Sequence, residues 1–376
     1  MVNGMTTTVD DVIRVMEHLA PPRLAEKWDN IGLQVGQRDW LVNSIWIALD
    51  PLPDVVAAAC REKVNLLITH HPLIFNPLRT VNFTSPVGRC IRLAAQNRLS
   101  IYAAHTNYDS VSGGLNDILA RRIGLKNLRP LVGGSTDSVY KLVVFVPEEH
   151  EKNLLDALID TGAGVIGAYR SCSFRVAGKA TFISQQDATP YRGRRGSLSE
   201  VAEVRIESMV SAPELARVVD HLKSQHPYET MAYDVYPLAP QETHQGIGRW
   251  GELSVKTDLK SLTLQVKKRL GLTTVNMVGE PDLRVKKVAI CTGSGGSLVA
   301  RFLASPAEAF ISGDLRYHEA RDVQAARRGL VDIGHFASEH IMVPELTKQL
   351  RAAFATRGLK VNVSACTLES NPFVQV

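Results

Sequence analysis

The run Val64-Asn65-Leu66-Leu67-Ile68-Thr69-His70-His71-Pro72 constrains the fold more than any other stretch of the chain. An apolar segment of strand length ends abruptly in two histidines, and a proline then stops the pairing ladder. Carboxyl ends of strands in open α/β sheets face the crevice where ligands bind. At the frayed end of such a strand both imidazoles can swing towards that crevice, where each could hold a metal ion. The plainer alternative is a pair of turn histidines hydrogen-bonded to backbone.

Strand and helix patterns alternate on either side of this run. Ser44 to Leu49 reads as a buried strand, Pro53 to Glu62 as a helix, Val87 to Asn97 as a helix and Leu99 to Ala104 as a strand. That last strand runs into His105-Thr106-Asn107-Tyr108-Asp109, and a helix from Leu115 to Ile123 follows. Such alternation predicts a mostly parallel sheet covered by helices on both faces. The far end repeats the plan, with strands at Val285 to Cys291, Ala307 to Ser312 and Leu330 to Ile333 and helices between them. Gly334-His335 then leads into a helix expected from about Ser338 to Ala355. Two similar α/β halves are therefore expected, spanning residues 1–130 and 241–376.

Residues 131–240 have another rhythm. A strand at Tyr140 to Val146, a helix at Glu148 to Thr161, strand segments at Tyr169 to Val176, Lys179 to Ser184 and Ala202 to Val210, a helix at Ala212 to Ser224 and a strand at Thr230 to Tyr236 make the β-α-β-β-α-β order. That order predicts an inserted ferredoxin-like α+β domain.

Composition excludes several classes. No apolar run reaches the ~18 residues of a membrane helix, so no membrane partner is expected, and the first residues lack a signal pattern. A cytoplasmic address is the expectation. Five scattered cysteines without a C-x-x-C pair argue against a disulfide framework and a zinc ribbon. The net charge of +5 is modest, and the basic run Tyr191 to Gly196 reads as a hairpin tip, which makes nucleic acid the weakest partner class.

The polar residues at strand ends form one set: His70 and His71, His105 to Asp109, and His335 with Glu339. His335 and Glu339 are four apart and fall on one helical face. Imidazoles with carboxylates suit zinc, iron or manganese better than calcium or magnesium, and five donor groups favour a pair of ions. Gly293-Ser294-Gly295-Gly296-Ser297 is either a phosphate cradle or a tight turn that permits close packing. Tyr317, His318 and Asp322 are candidates for outer-sphere or acid/base roles, or for capping and surface roles.

The blocks His70-His71-Pro72, His105 to Asp109 and Gly334 to Glu339 resemble the signature of the NIF-three-like family of dinuclear metal proteins, also named GTP cyclohydrolase type 2 homologues. Trp28 to Gly36, Gly293 to Ser297 and Ser312-Gly313-Asp314 match as well, so the resemblance spans nearly the whole chain. It implies a two-half core and, in the longer bacterial members, a middle domain similar to the PII/CutA-like ferredoxin fold. It also implies that His70, His71, Asp109, His335 and Glu339 bind two divalent ions per subunit, zinc foremost and iron or manganese next, and that six subunits form a toroid. The expected activity is metal-dependent hydrolysis of a nucleotide or phosphorylated small molecule, with GTP cyclohydrolase chemistry as its specific version. The alternative is a non-catalytic metal-binding oligomeric scaffold or regulator.

Overall fold

The computed structural model describes residues 6–133, 139–167, 169–238 and 245–374. The chain divides into two compact units, Met1–Gly134 together with Thr243–Val376, and the inserted Ser135–Glu242.

The first unit opens with α1 (Val9–Leu19), started by a capping box in which Thr8 Oγ1 accepts from Asp11 N–H and the Asp11 carboxylate accepts from Thr8 N–H. Then come β1 (Gly32–Val35), β2 (Ser44–Ala48), α2 (Pro53–Arg61), β3 (Leu66–Thr69), α3 (Pro86–Gln96) and β4 (Ser100–Ala103). A short α4 (Thr106–Ser110), α5 (Leu115–Ile123) and β5 (Leu125–Gly133) lead to the insertion. The insertion contains β6 (Val139–Pro147), α6 (Glu151–Asp160), β7 (Ser173–Ile183), β8 (Leu198–Ser211), α7 (Ala212–Gln225) and β9 (Tyr233–Pro237). The first unit resumes with β10 (Gly246–Asp258), α8 (Leu259–Leu270), β11 (Asn276–Val278), β12 (Arg284–Ser294), α9 (Val299–Ala304), β13 (Ala309–Gly313), α10 (Tyr317–Ala325) and β14 (Gly329–Asp332). It closes with α11 (His335–Glu339), α12 (Met342–Arg357) and β15 (Asn362–Ala365).

Two sheets of the first unit share a plan. One has the order β1-β4-β3-β2-β15 and the other β11-β14-β13-β12-β10-β5. In each, three successive strands pair in parallel and a strand that precedes them caps the third in antiparallel sense, β1 on β4 and β11 on β14. The two halves are thus the repeat that the sequence pattern predicts. They part at the other edge, where β15 adds to β2 in parallel but β10 adds to β12 antiparallel. The second sheet is therefore mixed rather than mostly parallel.

Side-chain alternation builds the layers. Leu66 and Ile68 of β3 and Val288 and Ile290 of β12 enter one shared core with residues of α1, α5 and α12. Leu67 faces the opposite way onto α2 and α3, and Ala289 onto α9 and α10. Strands buried on both faces explain the unbroken apolar runs in the sequence.

The inserted unit has the order β7-β8-β6-β9 with every neighbour antiparallel, the ferredoxin-like arrangement. Its core joins Leu142, Val144 and Ile206 of the sheet to Leu154, Val218 and Leu222 of the two helices.

Several expected elements differ. The segments Tyr169 to Val176 and Lys179 to Ser184 are one strand, β7, because Ala177 and Gly178 continue the pairing with β8. The closing helix expected from Ser338 is broken into α11 and α12, and His340 and Ile341 separate the two. The sequence pattern does not mark strands β5, β10, β11 and β15 or helix α8, since β10 and α8 carry charges on their exposed faces and β11 and β15 are only three and four residues long. Among the described residues, no helix is long and apolar enough to cross a membrane.

Candidate metal centre

Register sets the site. Thr69 of β3 lies level with Ala48 of β2 and Ala103 of β4, so Asp50, His70, His71 and His105 emerge at one sheet edge. Ser312 lies level with Asp332, which brings Asp314 and His335 to the matching edge of the second sheet. Both edges belong to the first unit and meet over the shared core.

Each imidazole is held through Nδ1. His71 Nδ1 lies 2.7 Å from Asp50, His105 Nδ1 2.9 Å from Asp29, and His335 Nδ1 2.7 Å from Asp314. His70 Nδ1 lies 3.0 Å from the carbonyl of Ala104. With the Nδ1 hydrogen committed to these acceptors, each neutral ring turns the Nε2 lone pair inward.

What the inward atoms meet is diagnostic. His70 is fully buried, and among the described residues its Nε2 has no hydrogen-bond partner. Its neighbours there are Glu339 Oε1 at 3.6 Å and Asp109 Oδ2 at 3.8 Å. His71 Nε2 and His335 Nε2 face each other at 3.4 Å, and Glu339 Oε2 is 3.0 Å from the first and 2.9 Å from the second. Two imidazole nitrogens at this spacing, with one carboxylate oxygen close to both, call for positive charge between them, carried by protons or by a metal ion. Donors bound to one tetrahedral ion at about 2.1 Å stand roughly 3.4 Å apart, so the spacing fits a shared ion. The donor atoms group as His70, His71 and His105, and as His71, His335 and Glu339.

Electrostatics agree. For Glu339, burial opposes the charge, but the imidazoles of His70, His335 and His71 overcome it and hold the carboxyl well below its usual range. Burial raises Asp109, and the Glu339 charge adds to it against the pull of His70. Burial disfavours a charged His71, yet Asp50 and Glu339 push it up to about 10. Contact with Glu339, helped by Asp314 and opposed by burial, raises His335 to about 9. These shifts describe a cluster that attracts cations, protons or metal alike.

Packing fixes the carboxylates. Asp109 accepts from Thr292 Oγ1 at 3.0 Å, and Asn116 bridges the carbonyl of Asp109 to the Thr292 N–H. Arg249, 1% exposed, binds Asp117 and the carbonyls of Ser110 and Val111, which anchors the chain just past Asp109. A Cβ on Gly293, which has φ +64°, would stand 2.1 Å from Glu339 Oε1. One on Gly295 would meet Ser312, and one on Gly296 would meet Glu319. The glycine run permits close packing against Glu339, Ser312 and Glu319.

All five sequence-derived candidates, His70, His71, Asp109, His335 and Glu339, converge. His105 joins them at the same edge; the family resemblance does not count it among the ligands, although it precedes Asp109 by the spacing that separates His335 from Glu339. Asp29 and Asp314 lie in blocks that match the family signature without a role assigned to them there, and nothing in the sequence marks Asp50. Tyr317, His318 and Asp322 are exposed on α10 and do not join the converging donors. A cavity of about 1130 Å³ opens beside His71 and His335, bordered by Asp50, Asp314, Asp332, Asn276 and Phe336.

A model of the Duf34/NIF3 (NGG1p interacting factor 3) family matches residues 7–372. A Bacillus subtilis protein named "GTP cyclohydrolase 1 type 2 homolog" is 36% identical over 96% of this chain and 97% of its own. A Mycobacterium tuberculosis protein of the same name is 35% identical over 98% and 97%. Among solved structures, a Bacillus cereus protein related to NIF3 is 36% identical with a TM-score of 0.76, covering 99% of this chain and 100% of that one. A Staphylococcus aureus protein is 29% identical with a TM-score of 0.82, and each chain is covered in full. By sequence over its whole length and by fold, the chain belongs to the Duf34/NIF3 family.

Proposed function

We propose that the chain is a metal-dependent hydrolase acting on a nucleotide or another phosphorylated small molecule, with two divalent ions per subunit held by His70, His71, His105, Asp109, His335 and Glu339. The observation that carries this reading is the pair of Nε2 atoms, on His71 and His335, turned face to face at 3.4 Å while their Nδ1 atoms are engaged by Asp50 and Asp314. Zinc is the first choice of metal, and iron or manganese would suit the same donors. Divalent ions bound there supply Lewis-acid charge and bring water to a nucleophilic state near neutral pH.

The chain's own part is positioning. Asp29, Asp50 and Asp314 fix the three partly exposed rings, and Ala104 fixes the buried one. Asp109 and Glu339 supply the negative charge that balances the cations. The cavity beside His335 gives a substrate access. The relatives' name supports a GTP cyclohydrolase-type reaction as the specific version. A homohexameric toroid in the cytoplasm is the setting proposed for it.

The test is a screen of nucleotides and phosphate esters with protein stripped by chelator and reloaded with zinc or manganese. Turnover should vanish on stripping and return on reloading. Unchanged turnover without metal would contradict the mechanism. An assembly that forms and dissociates with metal but turns over nothing would instead make the chain a scaffold.

A further inference from the structure

Two aromatic side chains stand open to solvent against the metal centre. Trp28 is 59% exposed and Phe75 53% exposed, and their ring centroids are 5.8 Å apart. The Trp28 ring meets the His105 imidazole edge-on at 5.9 Å, and Phe75 meets it at 6.4 Å. Large apolar rings are left in water at a cost unless something covers them.

Their placement is fixed from beneath. The Asp29 side chain is fully buried and accepts from Thr106 N–H at 3.0 Å, from Thr106 Oγ1 at 2.5 Å and from His105 Nδ1 at 2.9 Å. Anchoring Asp29 inward turns its neighbour Trp28 outward over His105. Phe75 is held by the next residue back, since Ile74 gives its carbonyl to Asn30 Nδ2 at 2.6 Å and its N–H to Gln34 Oε1 at 3.3 Å. The backbone beside each ring is therefore anchored, and the rings themselves touch each other and His105. Neither lines the cavity beside His335, so this is a separate seat at the His105 end of the centre.

We propose that Trp28 and Phe75 form a stacking seat for a flat heteroaromatic ring of the substrate, placing that ring beside the metal-held phosphate or reacting atom. This rests on the reading of a phosphorylated, nucleotide-like substrate and narrows it to substrates that carry a planar ring. An aromatic platform takes any base by its π-face, so the seat selects ring-bearing substrates over sugar phosphates without choosing one base.

The experiment titrates the full-length, zinc-loaded protein with GMP, guanosine and ribose 5-phosphate, following tryptophan emission and calorimetry. Wild type is compared with Trp28→Leu, Phe75→Leu and Trp28→Phe. GMP and guanosine should quench an emission component that is missing in Trp28→Leu. Trp28→Leu and Phe75→Leu should each weaken GMP by about tenfold, and Trp28→Phe should retain most of the affinity. Ribose 5-phosphate binding and metal content should not change. Equal weakening of GMP and ribose 5-phosphate, or GMP binding indifferent to Trp28, would overturn the seat. So would a change of assembly mass in Trp28→Leu, which would give the rings to a subunit contact. Guanosine separates the two claims: if it quenches Trp28 and binds as tightly as GMP while ribose 5-phosphate does not bind, the seat stands and the phosphate-ester reading fails. If guanosine leaves Trp28 untouched, the seat fails by itself.

Discussion

His105 and His335 occupy one position in two copies of the same motif. Each follows the third parallel strand of its sheet, each stands four residues before a carboxylate, Asp109 or Glu339, and each is backed at Nδ1 by an aspartate, Asp29 at 2.9 Å or Asp314 at 2.7 Å. The centre is thus assembled from equivalent ends of a duplicated sheet, with His70 and His71 contributed by one half only. Because the backing carboxylates orient the rings, Asp29→Asn and Asp314→Asn should each weaken metal binding by about 10- to 100-fold. Competition against a chromogenic chelator measures this, and unchanged affinity in both variants would remove the orienting role.

Protons and metal compete for the same nitrogens. His71 is raised to about 10 and His335 to about 9, so the metal-free protein holds both as imidazolium at neutral pH. Metal uptake must release those protons, and affinity should rise with pH between about 6 and 9. Calorimetry in two buffers of different ionisation heat reads the protons released; a binding heat independent of the buffer would contradict the account. Stability of the stripped protein runs the other way. Folded pKa values above the unfolded value near 6.5 give stabilisation that is present below that pH and lost as pH rises through about 9 to 10.

Gly293→Ala alters no ligand, yet its Cβ would stand 2.1 Å from Glu339 Oε1 on backbone with φ +64°. Displacement of Glu339 should weaken metal binding by about tenfold or more, on the scale of lost outer-sphere support. Gly271→Ala, on backbone with φ +67° where an added Cβ meets nothing within 4 Å among the described residues, is the matched control and should bind metal as wild type does.

Arg249 is the buried tie behind Asp109. Arg249→Met strips Asp117 of its buried partner and frees the carbonyls of Ser110 and Val111, and should cost about 3–5 kcal/mol of stability in denaturant unfolding. Arg121 pairs with the same Asp117 but is largely exposed, so Arg121→Met should cost under about 1 kcal/mol. Equal costs would show that burial does not set the value of this tie.

Much of this was legible in the sequence for a physical reason. Strands buried on both faces, such as Leu66 to Thr69 and Ala309 to Gly313, read as apolar runs, and their polar ends mark the crevice. The ferredoxin-like order of the insertion was legible from its strand and helix rhythm. Partners brought in by the fold were not. Asp29 and Asp50 lie 76 and 21 residues from the histidines they back, and nothing local distinguishes them from turn acids. His105 was within reach, since its spacing to Asp109 repeats that of His335 to Glu339.

The most direct measurement is metal content per chain in protein purified without added metal, for wild type, His105→Ala and His335→Ala. The expectation is about two first-row ions per wild-type chain and a loss in each variant, with far-ultraviolet circular dichroism unchanged. A wild-type chain that carries no ion and takes up none on titration with zinc, manganese or iron would contradict it, and the facing nitrogens of His71 and His335 would then be held by protons alone.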